Sequence, residues 1–158
     1  MKREKVYIAG PMTGYPQFNI PKFDAAAKHL REAGYEAVSP AELDDPEIRA
    51  ISLASPDGAI ATLNSHGKTW GDFLARDVKL LADDGIEAIF VMPGWERSTG
   101  ARLETFVGAA LKGMTIYRYD SARLGGMGGE VSALDLMRAW GGDLWLSAVM
   151  LMAGENLR

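Results

Sequence analysis

Residues 6–14 read Val-Tyr-Ile-Ala-Gly-Pro-Met-Thr-Gly, an apolar run that stops at a glycine–proline pair. A short apolar run bounded by such breakers predicts a buried β-strand over Val6 to Ala9, with a loop after it. Segments typical of strands and helices alternate along the rest of the chain. Further strands are predicted at 35–38, 86–92 and 114–119, and helices at 20–33, 70–82 and 99–111.

This order predicts an α/β fold of the three-layer, Rossmann-like (flavodoxin-like) type. We expect a mostly parallel sheet with helices on both faces, followed by a C-terminal helical segment. Right-handed crossovers place the first strand at the centre of the sheet, between the second and the third. Asn19 is positioned to cap the first helix, and Pro21 suits its first turn.

The composition is that of an ordinary globular domain, and it excludes several kinds of function. The 158 residues are 47% hydrophobic and 24% charged and include no cysteine, which excludes disulfides, thiolate zinc sites and cysteine nucleophiles. The formal net charge of -4 argues against a broad surface for duplex nucleic acid. The nearest candidate for a membrane span, Leu144 to Ala153, is about half the ~20 residues such a helix needs. We expect a cytoplasmic protein without membrane contact.

Residues 41–69 show no sustained period, which predicts a long connection with one short helical turn at 46–53. The acidic residues of this connection lack ligand-like spacing, so we interpret them as a solvated cluster: Glu42, Asp44, Asp45 and Glu47.

The glycine-rich run at 125–129 predicts a flexible break. We therefore assign 1–121 to the α/β domain and 122–158 to a C-terminal helical extension. Because 131–152 is strongly apolar, the extension either packs on its own domain or forms a subunit interface, and we expect a homo-oligomer.

A ligand pocket is predicted where two unusual loops meet. Ligands of open α/β sheets bind beyond the carboxyl ends of the strands, here between the first and third strands. The loops 10–14 and 94–100 both emerge at that edge and lead toward helices, whose free N–H groups suit an anion. The alternative is that their glycines only make tight turns. Two aromatic residues in or near these loops, Phe18 and Trp95, could stack on a base or simply pack. The candidate binding residues are Gly10, Pro11, Met12, Gly14, Phe18, Gly94, Trp95, Ser98 and Gly100.

Two carboxylates stand out near this pocket. Asp77 falls on the apolar stripe of its helix, where a charge needs a partner or a role; the alternative is a structural ion pair with a nearby arginine. Glu104 shares a helix face with Val107, at a core edge or in a pocket, although a solvated glutamate is the commoner outcome. Two carboxylates in one pocket suit glycosidic cleavage. The Tyr7 hydroxyl could position one of them, or Tyr7 could be a plain core residue.

No metal or cofactor is expected. His29 and His66 are too isolated for a metal site, and there is neither a triphosphate-binding loop nor a Gly-x-Ser-x-Gly nucleophile motif.

Several of these residues lie in motifs that resemble a known family. The motifs are Tyr7-Ile8-Ala9-Gly10-Pro11-Met12-Thr13-Gly14, Phe18-Asn19-Ile20-Pro21-Lys22-Phe23, Phe73-Leu74-Ala75-Arg76-Asp77, Met92-Pro93-Gly94-Trp95-Glu96 and Ser98-Thr99-Gly100-Ala101-Arg102-Leu103-Glu104. Over about residues 4–119 they resemble a phage- and prophage-rich family of uncharacterised domains. That family is similar to nucleoside 2-deoxyribosyltransferases and to 2'-deoxynucleoside 5'-monophosphate N-hydrolases.

The resemblance implies a role for each matching position. It makes Glu104 the nucleophile that attacks the anomeric carbon, Tyr7 the residue that orients it, and Asp77 the group that assists the leaving base. It makes Ser98 a ligand of a 5'-phosphate, and it places the loop glycines Gly10 and Gly100 along the sugar-phosphate. A second acidic residue usual in the transferases has only a loose counterpart here, Glu87, and the chain after residue 120 resembles neither enzyme closely.

The sequence therefore predicts an enzyme that acts on the N-glycosidic bond of a 2'-deoxynucleoside or its 5'-monophosphate. Its expected partner is that small molecule. Alternatives of other classes are a non-catalytic nucleotide-binding or sensing domain and an oligomeric structural phage protein, because a fold does not establish an activity. The joint presence of Tyr7, Asp77 and Glu104 favours the enzyme.

Overall fold

A five-stranded sheet organises the protein in a computed structural model that describes residues 3–83 and 85–141. Its strands are β1 (Lys5–Ala9), β2 (Glu36–Val38), β3 (Ala88–Val91), β4 (Thr115–Tyr119) and β5 (Met127–Glu130). Their spatial order is β2-β1-β3-β4-β5. β1 to β4 are parallel, and β5 is antiparallel to β4. The predicted α/β fold with a mostly parallel sheet is confirmed, as is the position of β1 between β2 and β3.

β1 is buried because both faces of the sheet are covered. Val6 and Ile8 pack in one core, together with Phe23, while Tyr7 and Ala9 pack in the core on the opposite face. Side chains of a strand alternate between faces, so a strand covered on both sides reads as a continuous apolar run. Tyr7 therefore faces the helices of the second core, and this orientation sets up the site described below.

Six α-helices accompany the sheet in the described part of the chain. They are α1 (Ile20–Glu32), α2 (Pro46–Ala54), α3 (Ile60–Asn64), α4 (Trp70–Asp83), α5 (Thr99–Phe106), which continues as a π-helical turn (Val107–Leu111), and α6 (Ala133–Ala139). α1 covers the face of Val6 and Ile8, while α4 and α5 contribute to the core on the other face. None of these helices has the length and apolar character needed to cross a membrane.

The connection between β2 and α4 is more structured than its sequence predicts. It contains two helices, α2 and α3, instead of one short helical turn, and their residues Ile48 and Leu63 are buried. Main-chain hydrogen bonds fasten it to the loop after β1: Gly14 N–H donates to Gly58 O at 2.9 Å, and Gln17 N–H donates to Ser55 O at 2.8 Å. Burial of apolar side chains and these long-range bonds stabilise helices too short to form alone.

The glycine-rich run at 125–129 is not the flexible break that its composition predicts. Gly125 and Gly126 have positive φ and form a turn, after which β5 pairs with the edge of β4. The strand arises from pairing with a partner already in place, which local composition does not reveal. Of the predicted helix at 131–152, the structure describes α6; the rest, including Leu144–Ala153, lies outside the described residues. The division into 1–121 and 122–158 stays a prediction.

Candidate functional site

A cavity of ≈ 510 Å³ opens at the carboxyl ends of β1 and β3. The loop after β1 reaches it through Pro11, Met12 and Thr13, and the loop after β3 reaches it through Gly94 and residues 97–100. The two loops singled out in the sequence therefore meet at one cavity. This is the edge at which parallel α/β sheets bind their ligands.

Most of the predicted site residues line the cavity, but not all of them do. The lining includes eight of them: Pro11, Met12, Phe18, Asp77, Gly94, Ser98, Gly100 and Glu104. Trp95 is only 2% exposed and packs in the core, so it does not stack on a ligand. Tyr7 lies behind the cavity wall, fully buried.

Gly10 and Gly14 serve the backbone instead of lining the cavity. A Cβ on Gly10 would lie 2.6 Å from Met92 Cβ, so glycine permits the close approach of the chain after β1 to the end of β3. Gly14 has a φ of 83° and donates its N–H to Gly58 O. At these two positions the glycines therefore allow a tight turn or a close approach of the backbone, as in the alternative to a ligand-binding role.

Phe18 reaches the cavity from an unusual stretch of backbone. Gln17, Phe18 and Asn19 are three consecutive non-glycine residues with positive φ, a left-handed conformation that costs roughly 1 kcal/mol per residue. Asn19 occupies the position that precedes α1, but its side chain makes no capping bond. Its Nδ2 donates instead to Pro11 O at 2.9 Å and so holds the loop after β1 against the start of α1.

Tyr7 and Glu104 form a buried hydrogen bond. The Tyr7 hydroxyl donates to Glu104 Oε1 at 3.0 Å, and Glu104 is only 6% exposed. Tyr7 comes from β1, and Glu104 comes from α5, which begins directly after the cavity loop. Tyr7 is thus a core tyrosine and a carboxylate-positioning residue at once, so the two interpretations of its sequence position are both correct.

Asp77 brings a second carboxylate to the same place. It projects from α4, is 6% exposed, and lines the cavity with Glu104. Arg76 Nε donates to Asp77 Oδ1 at 2.8 Å, and the Tyr7 hydroxyl also interacts with this carboxylate. The structural ion pair that was the alternative interpretation of Asp77 is therefore present, and its partner is Arg76. Asp77 nevertheless lines the cavity.

The surroundings of the two carboxyl groups favour their neutral forms. Burial raises the pKa of Glu104 to about 8, the negative charge of Asp77 adds to this, and the Tyr7 hydrogen bond and Arg76 oppose it. Burial also raises the pKa of Asp77, against the opposing effect of Arg76. Two interacting carboxyl groups titrate as a pair, so the pair retains a proton at neutral pH, and the pKa of about 8 places it mainly on Glu104.

The start of α5 brings hydrogen-bond donors and a cation to the cavity. Ser98 caps α5, with its Oγ accepting the N–H of Ala101 at 3.3 Å, and the N–H groups of Thr99 and Gly100 have no partner within the helix. Arg97 also lines the cavity, with an exposed side chain. A helix start beside a guanidinium is suited to an anionic group such as phosphate.

Sequence reasoning missed two features of the cavity. Asp44 is not solvated: its side chain is 7% exposed, lines the cavity and pairs with Arg76. The order of the strands could have located Asp44. It follows β2, and because β2 is parallel to the central strand β1, both strands end at the edge of the sheet where the cavity lies. The second feature is an apolar wall from α3 and α4, formed by Ile60, Leu63, Trp70, Phe73 and Leu74.

Glu87 is not part of the site, which corrects its loose assignment as a second acid. It directly precedes β3 and its N–H donates to Lys5 O, at the amino end of the strands, whereas the cavity lies at their carboxyl ends. In the described part of the chain, no group of three or more His, Asp or Glu side chains has a metal-binding arrangement.

The fold and the cavity define an α/β domain with a carboxylate-containing pocket at the switch point of its sheet. The chain belongs to the family described as a domain of unknown function (DUF4406), whose model matches residues 4–117. The matched range contains Tyr7, Asp77 and Glu104. No curated protein and no solved structure matches the chain.

Proposed function

We propose that the protein cleaves or transfers the N-glycosidic bond of a 2'-deoxynucleoside or its 5'-monophosphate, with Glu104 as the nucleophile. The observation that carries this proposal is the buried hydrogen bond of 3.0 Å between the Tyr7 hydroxyl and Glu104 Oε1, beside Asp77 in one cavity. A positioned carboxylate next to a second carboxyl group is the arrangement that glycosidic cleavage with a covalent intermediate requires.

In the proposed reaction, ionised Glu104 attacks C1' of the deoxyribose as the bond from C1' to the base nitrogen breaks. The bonding electron pair leaves with the base, and Asp77 in its protonated form supplies the proton that makes the base a neutral leaving group. Water then attacks C1' and gives a proton to Asp77, the bond from C1' to Glu104 breaks with its electron pair going to Glu104, and the sugar is released with both carboxyl groups restored. In a transfer reaction, the nitrogen of a second base takes the place of water.

The start of α5 supports a 5'-monophosphate as the substrate. Arg97 and Ser98 line the same cavity as Asp77 and Glu104, and Ser98 caps the helix that carries Glu104. A phosphate at the helix start would direct the sugar toward Glu104 and the base toward the apolar wall of α3 and α4. For this reason we favour hydrolysis of a deoxynucleoside monophosphate over base exchange.

The test is an incubation of the full chain with each deoxynucleoside and each deoxynucleoside 5'-monophosphate, with and without free bases, followed by chromatography for released or exchanged base. We expect release from at least one monophosphate. Glu104→Ala and Glu104→Gln should abolish it, whereas Glu96→Gln, a change of an exposed glutamate on the cavity loop, should not. Turnover that survives Glu104→Ala would exclude Glu104 as the nucleophile.

One observation favours a second candidate, a non-catalytic nucleotide-binding or sensing domain. With a pKa of about 8, Glu104 is mostly protonated at neutral pH and is then a hydrogen-bond donor instead of a nucleophile. Calorimetric binding of a deoxynucleotide without release of base across the whole panel would support the sensor over the enzyme. A cytoplasmic location and assembly into a homo-oligomer remain part of the proposal for either candidate.

A further inference from the structure

Arg76 joins two carboxylates that line the cavity. Its Nε donates to Asp77 Oδ1 at 2.8 Å, its Nη1 donates to Asp44 Oδ1, and its Nη2 donates to Pro40 O at 3.3 Å. The guanidinium also lies over the Phe73 ring, 5.6 Å from the ring centre. Every nitrogen of the guanidinium therefore has a partner, and the planar group is fixed in one orientation.

Asp44 reaches Arg76 from a distant part of the chain. It lies in the loop after β2, 32 positions before Arg76. Asp44 is nearly buried and the Arg76 side chain is 29% exposed, so solvent and salt screen their interaction less than that of a surface pair. Asp44 and Arg76 both also line a second cavity of ≈ 230 Å³, so the ion pair borders two cavities.

The carboxyl groups near Arg76 are not neutralised by its single positive charge. Asp44, Asp77 and Glu104 bring three carboxyl groups, and Arg76 is the cation that contacts two of them. Tyr7 on β1 supplies a hydroxyl but no positive charge. The proton that the Asp77 and Glu104 pair holds can reside on either carboxyl group, and the proposed reaction needs it on Asp77.

The two partners of Arg76 affect these carboxyl groups differently. Burial raises the pKa of both Asp77 and Glu104, and Arg76 lowers both. The negative charge of Asp44 raises the pKa of Asp77, and it is not among the causes that act on Glu104. A guanidinium that contacted Asp77 alone would keep that carboxylate ionised; with Asp44 on its other side, part of its positive charge is offset.

We infer that Asp44, acting through Arg76, is a positioning residue that weakens the hold of Arg76 on ionised Asp77 and so shifts part of the shared proton from Glu104 toward Asp77. Neither Asp44 nor Arg76 needs to touch the reacting atoms for this role. The inference rests on the proposed function for the use of Asp77 as an acid. The contacts of Arg76 and the effect of Asp44 on Asp77 stand independently of that function.

The first test follows the titration of Asp77 by NMR of ¹³C-labelled aspartate carboxyl groups, assigned with Asp77→Asn. Asp44→Asn keeps the shape and an acceptor for Arg76 but removes the charge, so the titration midpoint of Asp77 should fall by about 1 pH unit. Arg76→Gln should move it in the opposite direction. Because each variant has its own expected direction of shift, either one alone still tests the inference if the other fails to fold. An unchanged midpoint in the folded variants would overturn the inference.

The second test uses the leaving group. Asp44→Asn should lower kcat on the natural deoxynucleotide roughly tenfold, because a change of one unit in relative pKa shifts the proton distribution tenfold. It should leave turnover of a 4-nitrophenyl 2-deoxyribofuranoside 5-phosphate within about twofold, since nitrophenolate departs without a proton. Equal losses on both substrates would indicate a purely structural pair and would overturn the inference.

The matched control is Glu42→Gln. It removes an ion pair, between Glu42 and Arg31, from the same loop but away from the cavity. It should change neither the Asp77 titration nor the leaving-group dependence. If the unmodified protein releases base from no substrate, the proposed function fails, while the NMR titration still decides whether Asp44 controls Asp77.

Discussion

The Tyr7 hydroxyl donates to Glu104 Oε1 over 3.0 Å, although the two residues are 97 positions apart in the chain. The bond joins the central strand β1 to the helix after the cavity loop. Because both groups are buried, removal of either partner leaves the other without this hydrogen bond in a largely dry environment, which is costly. The fold thus holds the candidate nucleophile in place through a strand that is covered on both faces.

Removal of this hydroxyl should impair the site without dismantling the fold. In Tyr7→Phe, we expect kcat to fall by about 100-fold, and the pKa of Glu104 to rise further because the hydrogen bond from Tyr7 lowers it. A rate profile against pH and the NMR titration of Glu104 measure the two effects. Tyr35→Phe, which changes a tyrosine packed on Phe90, is the control and should leave both unchanged. A Glu104 pKa that stays constant in Tyr7→Phe would contradict the prediction.

Glu104 should make the protein less stable as the pH rises. Its pKa is about 8 in the folded protein against an ordinary value of 4.5, so between these values the folded state binds more protons than the unfolded state. Stability then falls with rising pH across this window. Glu104→Gln lacks the titrating group, and its free energy of unfolding relative to wild type should increase by up to about 1.4 kcal/mol per pH unit. Urea denaturation at several pH values between 5 and 8 measures the difference, and a constant difference would refute the prediction.

Arg97 should distinguish monophosphates from nucleosides. In Arg97→Gln, we expect KM for a deoxynucleoside monophosphate to rise roughly tenfold, with little change for the unphosphorylated nucleoside, because one charge-assisted contact to the phosphate is lost. Arg138→Gln, which changes an exposed arginine of α6, serves as the control. An equal rise in KM for both substrates would contradict a contact between Arg97 and the phosphate.

Gly58 should tolerate substitution less well than Gly67, which lies in the same connection between β2 and α4. Its φ is +64°, and a Cβ would lie 2.1 Å from Tyr15 O; Gly67 has a similar φ of +74° with no atom within 4 Å. Gly58→Ala should therefore destabilise the protein by about 2 kcal/mol more than Gly67→Ala, since only the first adds a clash to the backbone strain. Thermal unfolding of the two variants makes the comparison, and equal losses would count against the packed position of Gly58.

The local patterns of the chain predict its strands and helices well, because they report burial. Val6 to Ala9 form a strand that is covered on both faces, and Trp70 begins a helix whose charged residue on the apolar stripe, Asp77, does face inward. The approach of the two loops follows from strand order alone. In each case the signal lies within one element or in the order of elements.

The features that sequence reasoning missed depend on distant partners. Asp44 looks like a solvated acid until Arg76 is brought to it from α4, and residues 127–130 look flexible until β4 offers an edge for pairing. Gly10 is predicted to bind a ligand, yet a glycine is required there because Met92 leaves no room for a side chain. These contacts are long-range, so no spacing within the sequence indicates them.

The main-chain bonds between residues 14–17 and 55–58 have a consequence for how the protein can diversify. They fix the path of the segment that carries Ile60 and Leu63 into the cavity, and they involve no side chain of that segment. Tyr7 and Glu104 are held by other elements. Substitutions at Ile60 and Leu63 can therefore reshape the part of the cavity that selects a ligand while the paired tyrosine and glutamate keep their geometry, so selectivity and chemistry can change independently among relatives.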